Sequence, residues 1–65
     1  MFKGYCDTNI MIFRNGEFIQ MPGVTYTATE NTKDEVFRTL SKQVTAANGI
    51  DRMIYPVNVQ ILPLV

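Results

Sequence analysis

The stretch IMIFRNGEFIQM, residues 10–21, decides the fold of this chain. At its centre, Asn15-Gly16 favours a two-residue type I′ turn, because both residues tolerate positive φ. Such a turn fixes the register of the two strands that it joins. The predicted cross-strand pairs are Arg14 with Glu17, Phe13 with Phe18, Ile12 with Ile19, Met11 with Gln20, and Ile10 with Met21. An opposite-charge pair and an aromatic pair in one register both support this hairpin.

A third strand and a helix follow the hairpin. VTYTAT, residues 24–29, alternates between apolar and polar residues as a strand does. Thr32 and Glu35 have the spacing of a capping box, which marks the start of a helix. Asn48-Gly49 suits a helix end, because glycine adopts the left-handed conformation easily. The sequence therefore predicts a helix over about residues 33–47.

The last predicted strand is VNVQI, residues 57–61. Pro56 and Pro63 bracket it, and their missing N–H groups suit a strand at the edge of a sheet. Residues 2–6 form a further extended piece. We predict one α+β domain over residues 1–65, a small antiparallel sheet in β-β-β-α-β order with the helix packed on one face.

The turn at Pro22-Gly23 decides how the faces of the sheet are composed. A type II turn here would close a second hairpin and make a meander, whereas a bend would carry the chain elsewhere. In a meander one face carries Ile10, Ile12, Ile19, Met21, Val24, Tyr26 and Ala28. We expect the helix to cover that face with Val36, Phe37, Leu40, Val44 and Ala47. The other face then carries Met11, Phe13, Phe18, Gln20, Thr25, Thr27 and Thr29.

One helix cannot cover two apolar faces, so the second face is a candidate interaction surface. An apolar centre with a polar border is the usual plan of a protein interface. The predicted interaction residues are Met11, Phe13 and Phe18 at the centre and Gln20, Thr25 and Thr27 at the rim. Three groups could cover this second face of the sheet. They are a second copy of the chain, a different partner, or the chain's own ends, namely Phe2 and Tyr5 or residues 62–65.

The composition argues against catalysis. The chain has no histidine and one cysteine, which excludes Ser-His-Asp and Cys-His catalysis and disfavours a soft metal site. Asp7 follows Cys6 and would raise the pKa of its thiol, so we interpret Cys6 as an inert, partly buried residue. We expect a protein that is not an enzyme and that has no cofactor and no metal.

The charges and the size of the chain bear on its partners. Six basic and six acidic residues give a net charge of zero, so a nucleic-acid partner is not expected. The longest unbroken apolar run, IMIF, is far too short to span a bilayer, so we expect no membrane partner. A 65-residue chain without disulfides usually needs further support, which indicates a homo-oligomer. The start, MFKGYCDTN, has no long apolar stretch, so we expect no signal peptide and a cytoplasmic location.

Three functions are consistent with these patterns. The first is a non-enzymatic binding protein that occupies a protein surface as an inhibitor or adaptor, a role common among small viral or mobile-element accessory proteins. The second is an oligomer that binds a nucleotide-like ligand at its subunit junctions. The residues suited to stacking and phosphate binding there are Tyr26, Arg38, Arg52 and Tyr55. The third is a small protein that binds single-stranded nucleic acid through Phe13, Arg14 and Phe18.

Overall fold

The structure, a computed structural model, describes residues 1–64. It contains a four-stranded antiparallel sheet and one helix in β-β-β-α-β order, as predicted. The elements are β1 (Phe2–Arg14), β2 (Glu17–Pro22), β3 (Tyr26–Glu30), α1 (Lys33–Ala46) and β4 (Arg52–Pro63).

The predicted hairpin is confirmed. Asn15 and Gly16 have φ of 53° and 77°, which is the left-handed conformation that a type I′ turn requires at both positions. All five predicted cross-strand pairs are present between β1 and β2, from Arg14 with Glu17 to Ile10 with Met21. The turn type and the hairpin register could therefore be predicted from the sequence.

Of the two alternatives at Pro22-Gly23, the meander does not form, because β3 does not pair with β2. Both short strands pair with the same edge of β1, β3 with residues 2–6 and β2 with residues 9–14. Between them Pro22-Gly23 forms a bend, and Gly23 lacks the positive φ that a type II turn would give it. The Gly23 N–H donates to the Thr8 carbonyl at 2.8 Å, so the chain continues along β1 and does not reverse.

Strand β1 is the central strand, because β4 pairs with its other edge along eleven positions from Phe2 to Ile12. The predicted extended piece at residues 2–6 and the first strand of the hairpin are thus one strand. Pro56 and Pro63 lie within β4, and β4 is an edge strand, as the two prolines indicated. The register shifts beside Asp7 and Thr8 and leaves Val57 without a partner in β1, so Val57 leaves the alternation predicted for it.

Helix α1 begins as predicted and ends differently. The Thr32 hydroxyl accepts from the Glu35 N–H at 3.1 Å, while the Glu35 carboxylate accepts from the Thr32 hydroxyl and not from its backbone N–H. The C-cap residue, Ala47, is right-handed, with φ of −82°, and Gly49 has no positive φ. The predicted left-handed glycine stop is therefore wrong. Asn48 ends the helix by donating its side-chain N–H to the Val44 carbonyl at 3.0 Å.

The core lies between α1 and the first half of β1. Its buried apolar residues are Cys6, Ala28, Val36, Leu40, Val44 and Ile54. Helix α1 approaches β1 closely at Gly4, where an added Cβ would meet the side chains of Val36 and Leu40. Thr8 is buried too, and its hydroxyl donates to the Val24 carbonyl at 2.7 Å. Phe37, predicted for the covered stripe, is instead 57% exposed.

Candidate protein-binding surface

The sheet is much longer than the helix that covers it. A 13-residue strand spans about 43 Å and a 14-residue helix about 21 Å, so α1 covers only about half of β1. The molecule measures 49 × 17 × 12 Å. The uncovered half begins beyond Ile10 and Ile54, which pack in the core, and consists of residues 11–21 and the start of β4, residues 52–53. We call this half the distal arm.

The two faces of the sheet follow from the register. Odd-numbered residues of β1 and their partners lie on one face, and even-numbered residues and their partners lie on the face that carries α1. On the face without the helix lie Met11, Phe13, Phe18, Gln20, Thr27 and Thr29. The register thus places five of the six predicted interaction residues on one face, although the meander from which they were grouped does not form.

A hollow of about 380 Å³ lies on this face of the distal arm. Its apolar walls are Met11, Phe13, Phe18 and Met53, and the loop of residues 48–51 with Arg52 forms the opposite side. We call it the distal hollow. A concave site of this size can accept one or two large apolar side chains.

Phe13 and Phe18 are the largest exposed apolar groups of the distal hollow. Their ring centroids are 5.0 Å apart and the rings are tilted by 58°, a favourable aromatic geometry. They are 56% and 71% exposed. At roughly 200 Å² for each side chain, about 250 Å² of aromatic surface faces solvent. Covering it is worth roughly 6 kcal/mol before the costs of association.

The border of this face is polar. The side chain of Gln20 donates to the hydroxyl of Tyr55 across the sheet, and the Thr25 hydroxyl donates to the Asp7 carboxylate at 2.7 Å. Thr27 is exposed further along the same face. These contacts hold the predicted rim residues in place beside the apolar centre, although Thr25 lies just before β3 and not within it.

The ends of the chain do not cover the distal hollow. Phe2 and Tyr5 pair with β3 and with the end of β4, at the opposite end of the sheet. Residues 62 and 63 pair with the start of β1, and the Leu64 N–H donates to the Met1 carbonyl at 2.8 Å. Val65, part of the same predicted covering, lies outside the described residues.

Four other predicted residues are spread over the molecule. Tyr26 is opposite Cys6 and Tyr55 is opposite Asn9, so the two tyrosines lie on opposite faces. Arg52 is at the distal arm and Arg38 is exposed on α1. One chain does not bring these groups together. Their role at a junction between subunits stays a prediction.

Cys6 is buried, with 2% of its surface exposed. Burial, and to a smaller extent the negative charge of Asp7, raises the pKa of its thiol above the ordinary value. A thiol that stays protonated is a poor nucleophile. The position of Cys6 in the core agrees with its interpretation as an inert residue.

Sequence reasoning missed the loop that completes the distal hollow. Met53 and Ile50 are both exposed, at 51% and 109%, and neither was among the predicted interaction residues. The loop is held by a backbone hydrogen bond from the Phe13 N–H to the Asp51 carbonyl, at 3.4 Å. The available signal was the apolar pair Met53-Ile54, which extends the last strand back toward Arg52.

Among residues 1–64, no cluster of three or more acidic, histidine or cysteine side chains is placed to bind a metal ion. No helix in that range is both long enough and apolar enough to cross a membrane. Comparisons with protein-family models, with curated protein sequences and with solved structures find no match.

Proposed function

We propose that this protein is a non-enzymatic binding protein that uses the distal hollow to occupy an apolar site on another protein. The observation that carries the proposal is the exposed Phe13–Phe18 pair in a concave, polar-rimmed surface. Aromatic side chains in such settings supply most of the energy of many protein interfaces.

The shape of the chain supports a binding role. A compact 65-residue domain has a radius of gyration of about 11 Å, and this chain has one of 13.5 Å. Its accessible surface is 4729 Å², against about 4,200 Å² for a typical folded monomer of its mass. The distal arm is apolar on both faces, and every residue from Phe13 to Met21 is exposed.

The rim of the distal hollow indicates the chemistry of the partner. Asp51 and Arg52 line the hollow itself, and Arg14 and Glu17 lie at the tip of the hairpin next to Phe13 and Phe18. The border thus has both signs of charge in equal number. We infer a partner segment with one or two large apolar side chains flanked by polar or mixed charges. An inhibitor or adaptor that masks such a segment acts without catalysis.

The test uses a displayed library of random peptides selected on the intact protein. Selected peptides are then measured against the wild type, Phe13→Asp and the control Val57→Asp. Val57 is 51% exposed and lies far from the distal hollow, in the irregular part of β4. We expect Phe13→Asp to weaken binding about 30-fold or more, as for an interface hot spot, and Val57→Asp to leave it unchanged.

Two results would count against the proposal. Peptides that bind Phe13→Asp as tightly as the wild type would place the binding surface elsewhere. A Phe13→Asp chain that is unfolded by circular dichroism at every concentration would mean that Phe13 belongs to the core.

A further inference from the structure

The outer edge of β4 has a short stretch in which the backbone N–H and carbonyl groups have no hydrogen-bond partner among the described residues. In an antiparallel pair, two directly opposite residues either bond each other or both point away. The even-numbered residues of β1 direct their backbone groups toward β2 and β3, as the bond from the Gly23 N–H to the Thr8 carbonyl shows. Their partners in β4 must therefore direct their own groups outward. These partners are Arg52, Ile54, Pro56, Val59, Ile61 and Pro63.

At most of these outward-directed positions a backbone group is already hydrogen-bonded or the N–H group is missing. The Arg52 carbonyl accepts from the Gly49 N–H at 3.3 Å. The Ile54 N–H donates to the Asn48 side-chain oxygen at 2.8 Å, and its carbonyl accepts from the same side chain. Pro56 and Pro63 have no N–H to offer. Of these six residues, only Val59 and Ile61 keep both a donor and an acceptor without a partner among the described residues.

An apolar groove lies beside the unpaired part of the β4 edge. It lies between α1 and β4 and has a volume of about 180 Å³. Phe37, Ser41 and Thr45 line it from the helix, Pro56 and Val59 line it from the strand, and Cys6 closes its floor. A strand added at the edge would bring its own side chains on this face next to the groove. An added apolar side chain would then also shield Phe37.

We propose that the occupant of this edge is β4 of a second copy, paired antiparallel about a two-fold axis at Gln60. In this register Val59 of each copy is opposite Ile61 of the other, so the two N–H groups and two carbonyls of these residues in each copy are all used. A two-fold interface needs a self-complementary surface, and this edge provides one. No charged residue occurs from Met53 to the end of the chain, so no like charges oppose the pairing.

The pairing would give one continuous sheet with both helices on the same face. The two distal arms would point in opposite directions, and both distal hollows would stay open. Such a dimer supplies the assembly predicted from the size of the chain. It is independent of the proposed function, because the unpaired edge positions Val59 and Ile61 are not among the residues that line the distal hollow.

The register can be tested by a single cysteine at the axis. In the proposed dimer, residue 60 of each copy forms a pair without hydrogen bonds, with Cα atoms about 4.5 Å apart. That separation is within the range that a disulfide spans. Gln60 is exposed. We expect Gln60→Cys to form a disulfide-linked dimer under mild oxidation at least tenfold faster than the control.

The matched control is Asn58→Cys, which is exposed on the same face of the same strand. In the proposed register the two copies of residue 58 are four residues out of alignment, about 14 Å apart. A disulfide cannot span that distance. Wild-type mass from sedimentation over a concentration series should show a monomer–dimer equilibrium.

Three results would overturn the proposal. The first is a wild type that stays monomeric at millimolar concentration. The second is equal cross-linking of Gln60→Cys and Asn58→Cys. The third is a dimer that Phe13→Asp abolishes and Gln60→Cys does not trap. That last result would place self-association at the distal hollow and would count against the proposed function as well.

Discussion

Gly4 shows how a single residue positions the helix. Its missing side chain lets α1 lie directly on β1, and a Cβ there would come within 2.9 Å of the Leu40 Cδ1 atom and still closer to Val36. Val36 and Leu40 are 0% and 2% exposed, so neither can move aside without disturbing the core. The close packing of the first half of the sheet therefore depends on a glycine at this position.

We expect Gly4→Ala to lower the free energy of unfolding by about 1–3 kcal/mol, the usual cost of overpacking a core. Urea denaturation followed by circular dichroism measures it. Gly49→Ala is the control, because a Cβ at Gly49 meets nothing closer than 3.4 Å and its φ is not left-handed. Equal stabilities of the two variants would show that α1 does not approach β1 as closely as described.

The end of α1 and the edge of β4 are joined by one side chain. The amide of Asn48 bonds the Val44 carbonyl in the helix and both backbone groups of Ile54 in the strand. Ile54 is 9% exposed, so its backbone groups would be poorly solvated without this partner. Asn48 therefore ends the helix, starts the last strand and closes part of the sheet edge.

We expect Asn48→Ala to lower the free energy of unfolding by about 1–3 kcal/mol, because it leaves the Ile54 N–H and carbonyl unpaired. Hydrogen exchange of the Ile54 amide should accelerate as well. Asn58→Ala is the control, since Asn58 is exposed and its side chain bonds no described residue. Unchanged protection of the Ile54 amide in Asn48→Ala would contradict this assignment.

At the scale of the molecule, the sheet is about twice as long as its helix, and the distal arm extends beyond the core. The association sites inferred from this shape are on different parts of the chain. The distal hollow is the proposed site for a protein partner, while the β4 edge between the two prolines is the proposed site for a second copy. A dimer joined at that edge would present two distal hollows, and two linked sites bind a repeated target more tightly than one.

We expect small-angle X-ray scattering at high dilution to show an elongated monomer with a maximum dimension near 49 Å or slightly above. A radius of gyration near 11 Å would mean that the distal arm folds back on the core. As concentration rises, edge pairing should double the scattered mass and lengthen the particle. The Phe13→Asp variant is the comparison, because edge pairing should persist in it.

The local features of the fold were predictable because they depend on neighbouring residues. Asn15-Gly16 set the turn and the hairpin register by backbone preference alone. The Thr32 cap set the start of α1, and Pro56 and Pro63 indicated an edge strand. The grouping of Phe13 with Phe18 followed from the same register, so the centre of the candidate site was visible in the sequence.

The long-range features were decided only by the tertiary structure. Whether β3 pairs beside β2 or beside the start of β1 depends on contacts far apart in the chain, and Pro22-Gly23 is compatible with both. The loop beside Phe13 and the free edge at Val59 and Ile61 depend on a second long-range choice, the pairing of β4 with the other edge of β1. Backbone preference acts over a few residues, whereas strand order depends on which arrangement buries the most apolar surface, and here that arrangement leaves half of the sheet uncovered.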